Sequence, residues 1–168
     1  LSTFNEIAIE VCEGQQYDME FEQRSGVSVD EYLNLIRLKT AVLLAGALKI
    51  GALYANAPEA DLQRVYDWGI HIGLAVQLQD DLLDAYGDTA TFGKQTGTDI
   101  KDNKKTFLYL AALAHADEGQ KARLQALYAT TPADAVEKIQ EVLSIYQALG
   151  IKAITEQAIQ REFALAAE

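Results

Sequence analysis

One helical stretch constrains this chain more than any other part of it. From about Glu59 to Tyr86 the sequence runs without a proline, and from Gly69 to Leu78 it is almost wholly apolar. A helix apolar on nearly every face belongs inside a layer of other helices. Three carboxylates then enter from the buried run, in Gln77-Leu78-Gln79-Asp80-Asp81-Leu82-Leu83-Asp84. Each helical residue turns by about 100°, so Asp80 and Asp84 stack one turn apart, Gln77 falls beside them and Asp81 sits at the edge of that face. Carboxylates this close repel one another and call for a cation. Hard oxygen donors on one helix face suit Mg²⁺, which binds through one or two carboxylates plus substrate phosphates. A solvated acidic helix end is the plainer alternative, and spacing alone leaves both readings open. An EF-hand is a poor fit, because its D-x-[DN]-x-[DN]-G spacing is missing.

The rest of the chain predicts an all-α fold of about six to seven helices in a single domain over residues 1–168. It has 168 residues, 49% of them hydrophobic, enough to bury a core. It has only two prolines and shows no strand pattern or internal repeat. A first helix is expected over 3–24, ended by Gly26. Ser28-Val29-Asp30-Glu31 is a capping box that opens a second helix, over 28–54. After Asn56-Ala57-Pro58 comes the helix carrying the aspartates. Residues 87–104 form the one long irregular stretch, a length that in compact domains often marks function. Helices follow over 106–116, from the capping start Asp117-Glu118-Gly119-Gln120, from Pro132 at a first turn, and after Gly150 to about residue 167.

Charge and cysteine content narrow the partners. The net charge of −11 argues against binding nucleic acid or an anionic membrane by bulk electrostatics. A small anionic substrate remains compatible, since divalent metals make a site locally positive. Cys12 is the single cysteine, which fits a reducing cytoplasm. Leu1 to Glu10 has no basic start of the kind a signal peptide carries. The apolar run 41–57 is interrupted by Lys49 and several glycines, and reads as a core helix rather than an integral membrane span.

Cations accompany the carboxylates. Lys94, Lys101, Lys104 and Lys105 follow closely, and a lysine is a mobile point charge able to neutralise phosphate. Lys94, beside Gly93, reads as functional; Lys101 reads as a surface charge. Lys39-Thr40 is embedded in apolar helix, where a lysine must snorkel or pair. His71 reads as a satisfied core histidine, His115 as a helix-end or surface residue, and Trp68 as core or interface.

Taken together, Gln77 to Asp84, Gly87-Asp88, Gly93-Lys94, Gly97-Thr98-Asp99 and Asn103-Lys104-Lys105-Thr106 resemble the second aspartate-rich motif and following loop of the trans-isoprenyl diphosphate synthases, or polyprenyl synthetases. Upstream, Glu13-Gly14-Gln15-Gln16-Tyr17-Asp18 resembles the family's Gly-Gln-x-x-Asp helix, and Tyr32 to Arg37-Leu38-Lys39-Thr40 its Lys-Thr helix. The motif-level similarity covers residues 10–107. It implies a helical bundle in which an allylic diphosphate ionises and isopentenyl diphosphate attacks, with Mg²⁺ as cofactor and Mn²⁺ as a substitute. Asp80 would be the main metal ligand, with Asp84 direct or water-mediated and Asp81 in support. Lys39 and Lys94 would contact the allylic diphosphate. Thr40 and Gln77 would lie by the allylic carbon, Gln15 and Asp18 would line the pocket, and Asp99 and Lys104 would order or neutralise the loop. Val76 departs from the pattern, since the family often has Phe there.

The family carries two facing aspartate-rich motifs, and this chain contains one. The first motif and its Arg-Arg pair are expected ahead of the Gly-Gln helix, so the resemblance implies the C-terminal half of a synthase. Product length is set in the family largely by residues just before that first motif. Such a half is expected not to turn over alone, and to leave apolar surface that favours homo-oligomers. The competing readings are a non-catalytic regulatory subunit, a helical interaction module and a terpene cyclase; the Lys-Thr helix and the Gly-Lys loop favour the elongating enzymes.

Overall fold

The computed structural model describes residues 2–88, 96–132 and 134–168. Helix α1 spans Ser2–Gln23, α2 Val29–Ile36, α3 Val42–Tyr54 and α4 Glu59–Tyr86. The short α5 covers Thr98–Lys101, followed by α6 Phe107–His115, α7 Glu118–Tyr128, α8 Val136–Ala148 and α9 Ile151–Ala166. The described residues contain no strand. Helices α2 and α3 are one rod, joined without a break by a π-helical turn over Arg37–Ala41 in which the Val42 N–H donates to the Arg37 carbonyl. Counted as rods there are eight helices among the described residues, one more than the upper expectation; the addition is α5, inside the stretch read as irregular.

Local chemistry explains most boundaries. Ser28 accepts from the Glu31 N–H while the Glu31 carboxylate accepts from the Ser28 N–H, the reciprocal cap expected ahead of α2. Asp117 and Gln120 do the same for α7. Pro132 departs from expectation: α8 begins at Val136, whose N–H is taken by the Asp134 carboxylate, so the proline stands in the preceding loop.

Packing divides the chain into two compact units, Leu1–Gln77 with Ala158–Glu168, and Leu78–Gln157. In the first, α1 packs on the π turn and on α3. Its core includes Ile7, Phe21, Tyr32, Leu35, Val42 and Leu74. The aromatic rings of Tyr17, Phe21 and Tyr32 follow one another at 6.1 Å between centroids. His71 is satisfied by Glu162 at 2.8 Å, as expected, but it is half-buried rather than in the core. In the second, α6, α7 and α8 pack mutually and α5 rests on α8, around Leu78, Leu108, Leu124, Val142 and Tyr146. No helix among the described residues is long and apolar enough to cross a membrane.

Candidate functional site

In the first unit the Lys-Thr turn gathers four of the expected residues. A Cβ on Gly14 would lie 2.8 Å from the Lys39 backbone nitrogen, so α1 reaches the π turn only because position 14 has no side chain. One turn along α1, Asp18 meets Lys39, with Nζ 2.5 Å from Oδ2. Both ends of that pair touch solvent, and such pairs contribute only about 0.2–1 kcal/mol. The next residue, Thr40, donates its hydroxyl to Gln77 Oε1 at 3.2 Å. Gln15 is exposed on α1, and Val76 is exposed on α4. The π turn was not anticipated; such turns are frequent at functional sites.

In the second unit the three aspartates are not equivalent. Asp80 is exposed, Asp84 is partly buried and Asp81 is 2% exposed. Asp84 acts as a remote cap for α5. Its Oδ1 accepts from the Thr98 N–H at 3.2 Å and from the Thr98 hydroxyl, and its Oδ2 accepts from the Asp99 N–H at 2.9 Å. The first two orphan donors of this one-turn helix are thereby satisfied by a carboxylate fourteen and fifteen residues upstream.

The far end of α5 closes in a Schellman motif. Asn103 takes the left-handed conformation, φ 60°, its N–H bonds to Ile100 O at 3.3 Å, and the Lys104 N–H returns to Asp99 O at 2.9 Å. That fold-back sets Lys104 Nζ 3.1 Å from Asp99 Oδ1. Burial opposes the Lys104 charge, yet Asp99, Asp81 and Asp80 outweigh it and raise its pKa above the ordinary lysine value. Burial raises the Asp99 pKa, with Asp84 and Asp80 adding to the rise and Lys104 countering it. Four carboxylates therefore share one field, in which Lys104 is a resident cation.

The carboxylates here are oxygen donors, the kind a hard divalent cation takes. No group of three His, Cys, Asp or Glu side chains among the described residues could hold a metal by itself. An open carboxylate face of that kind matches Mg²⁺, which keeps waters and substrate phosphates in its shell. Asp80 is the most accessible of the three carboxylates, and Asp84 retains one lone pair, on Oδ2, beyond its bonds to α5. Lys94 lies outside the described residues. Thr98, which donates to Asp84, and Lys138, which donates to Asn103 Oδ1 in the turn before Lys104, make structural bonds that the sequence reading gave to neither. Thr98 stood within a quoted motif, whereas Lys138 had no signal beyond being a lysine in a helix.

The polyprenyl synthetase family model matches residues 1–146. The chain belongs to the polyprenyl synthetase family. It is 42% identical over 124 residues to the short chain isoprenyl diphosphate synthase of Methanocaldococcus jannaschii, an overlap that takes in 74% of this chain and 38% of that one. A solved geranylgeranyl pyrophosphate synthase superposes with a TM-score of 0.91 at 43% identity, covering 98% of this polyprenyl synthetase chain and 51% of the other. A geranylgeranyl pyrophosphate synthase from Corynebacterium glutamicum, solved with isoprenyl diphosphate and magnesium, has a TM-score of 0.87 at 30% identity, over 98% and 47% of the two chains. The chain thus spans about half the length of the solved relatives, and less than half of the curated one.

Proposed function

We propose that this chain supplies one wall of a prenyl diphosphate site, in an enzyme that condenses an allylic diphosphate with isopentenyl diphosphate. The observation that carries the reading is the field of Asp80, Asp81, Asp84 and Asp99 around Lys104, on a polyprenyl synthetase framework. The magnesium-bound relative from Corynebacterium supports Mg²⁺ as the cofactor. The family match runs through both packing units, which supports reading residues 1–168 as part of one domain.

Mg²⁺, when bound, neutralises the diphosphate and makes it a better leaving group. Asp80 and Asp84 would hold it, with Asp81 in support. Lys39, Lys94 and Lys104 would bind the diphosphate oxygens and stabilise charge as it builds there. The oxygens of Thr40 and Gln77 would face the allylic carbon, where their dipoles favour positive charge. By the family resemblance Gln15 and Asp18 would line the substrate pocket, and Asp18 would hold Lys39 until a phosphate displaces it. Excluding water from the apolar helical wall protects a reactive cation. We assign the cytoplasm as its compartment and a homo-oligomer as its assembly.

Calorimetric titration with a bisphosphonate tests the site. Binding should require Mg²⁺ and should fall by at least about tenfold in Asp80→Asn, as expected for loss of a charge-bearing ligand. Mg²⁺-independent binding, or none, would favour a helical interaction subunit instead. With isopentenyl and dimethylallyl diphosphates and Mg²⁺, the 168-residue chain alone should show no prenyl transfer, since it carries one aspartate-rich motif.

A further inference from the structure

Lys138, on α8, is 4% exposed. Its ammonium is answered by three oxygens without formal charge: the Lys101 carbonyl at 3.3 Å, the Thr130 carbonyl at 2.9 Å, and Asn103 Oδ1. It also lies 5.4 Å from the centre of the Tyr128 ring. All three ammonium donors are thereby used. Burial lowers its pKa, and the nearby charge of Asp102 partly restores it. A lysine buried without a bonded carboxylate is a costly way to fill space, and an apolar side chain would pack there at less cost. What the ammonium adds is a three-way tie centred on Asn103. The Asn103 amide is oriented from its other end as well, where Nδ2 donates to Thr131 Oγ1 at 3.0 Å. Asn103 is the left-handed residue of the Schellman turn, and the residue after it is Lys104.

We propose that Lys138 is a positioning residue for the diphosphate site: it pins Asn103 in its left-handed turn and thereby holds Lys104 against the aspartates. The proposal rests on the diphosphate reading of that site. Lys138 itself touches none of Asp80, Asp81, Asp84 and Asp99 through the bonds named above; it acts through the turn.

The test uses the 168-residue chain with Lys138→Met, which keeps length and removes the charge. Amide hydrogen exchange at Asn103 and Lys104 should accelerate by about tenfold or more relative to amides of α7, the signature of local opening. Should Lys138→Met fail to fold, Asn103→Gly tolerates the left-handed turn, removes the oxygen Lys138 holds and should show the same local acceleration. Affinity for pyrophosphate with Mg²⁺ provides the second measurement, in a cycle with Lys104→Gln. If Lys138 acts through Lys104, its loss should matter little once Lys104 is gone, whereas independent effects would add. Unchanged exchange at Asn103 and Lys104 overturns the tie, and additive losses overturn its route through Lys104. A wild-type chain that binds no Mg²⁺–pyrophosphate overturns the diphosphate reading instead, a separate result from the exchange measurement.

Discussion

Asp84 has two tasks that pull on the same atoms. Its two oxygens cap α5, and the same carboxylate is proposed to face a metal. Asp84→Ala should therefore cost about 1–2 kcal/mol of stability, the usual range for a lost helix cap. Asp84→Asn, which keeps one acceptor oxygen, should fall between, as read from urea melts. Substitution of exposed Asp80 should leave stability nearly unchanged while removing Mg²⁺-dependent binding. A different residue-scale prediction concerns pH. Burial raises the pKa of Tyr128 and of Tyr146, whose hydroxyls meet at 2.9 Å. Both stay neutral in the folded chain while the unfolded chain ionises them near pH 10. The unfolded state then binds fewer protons, so stability is complete below about pH 10 and declines as pH rises toward the raised folded values. Urea melts stepped from pH 8 to pH 11 should show this decline, and Tyr146→Phe should reduce it.

Helix contacts set the stakes at the next scale. A Cβ on Gly73 would fall 2.5 Å from the Ala41 Cα, a backbone atom that cannot step aside. Gly73→Ala should destabilise by about 1–3 kcal/mol through overpacking, despite the better helix propensity of alanine. A thermal melt at or above the wild-type midpoint would contradict the close crossing. Helices bounded by their own neighbours were legible in the sequence: Ser28 with Glu31 and Asp117 with Gln120 cap locally, and those starts stand where expected. Elements fixed from a distance were not. Helix α5 is a single turn whose first two donors are met by Asp84, fourteen and fifteen positions away. The π turn has no residue type that marks it; it sits where Gly14 presses on Lys39. Motif resemblance named Asp18, Lys39, Thr40 and Gln77, yet their pairing spans 21 and 37 positions and came only with the fold.

Across the whole molecule, large exposed apolar side chains gather in the unit of residues 1–77 and 158–168. They include Ile9 and Met19 on α1 and Leu43, Ile50 and Leu53 on α3, with Tyr54 92% exposed. Leu43, Ile50 and Tyr54 are seven and four residues apart, a spacing that forms one helical stripe. Contiguous apolar surface of this kind drives association. Light scattering should find the isolated chain self-associated, and Leu43→Glu with Ile50→Lys should shift it toward monomer; a clean wild-type monomer would count against this. The π turn bears on the chain in another way. A π turn holds one residue more than the α-helical path it replaces. Deleting a single residue from 37–41 would let the rod relax to regular α-helix, and the later side chains would stay on the faces they now occupy, because the turn already absorbs one extra residue. Ala45 would keep its place against Gly69 on α4. Related chains one residue shorter within 37–41 should therefore carry a regular α-helix there and keep the crossing of Ala45 on Gly69 unchanged.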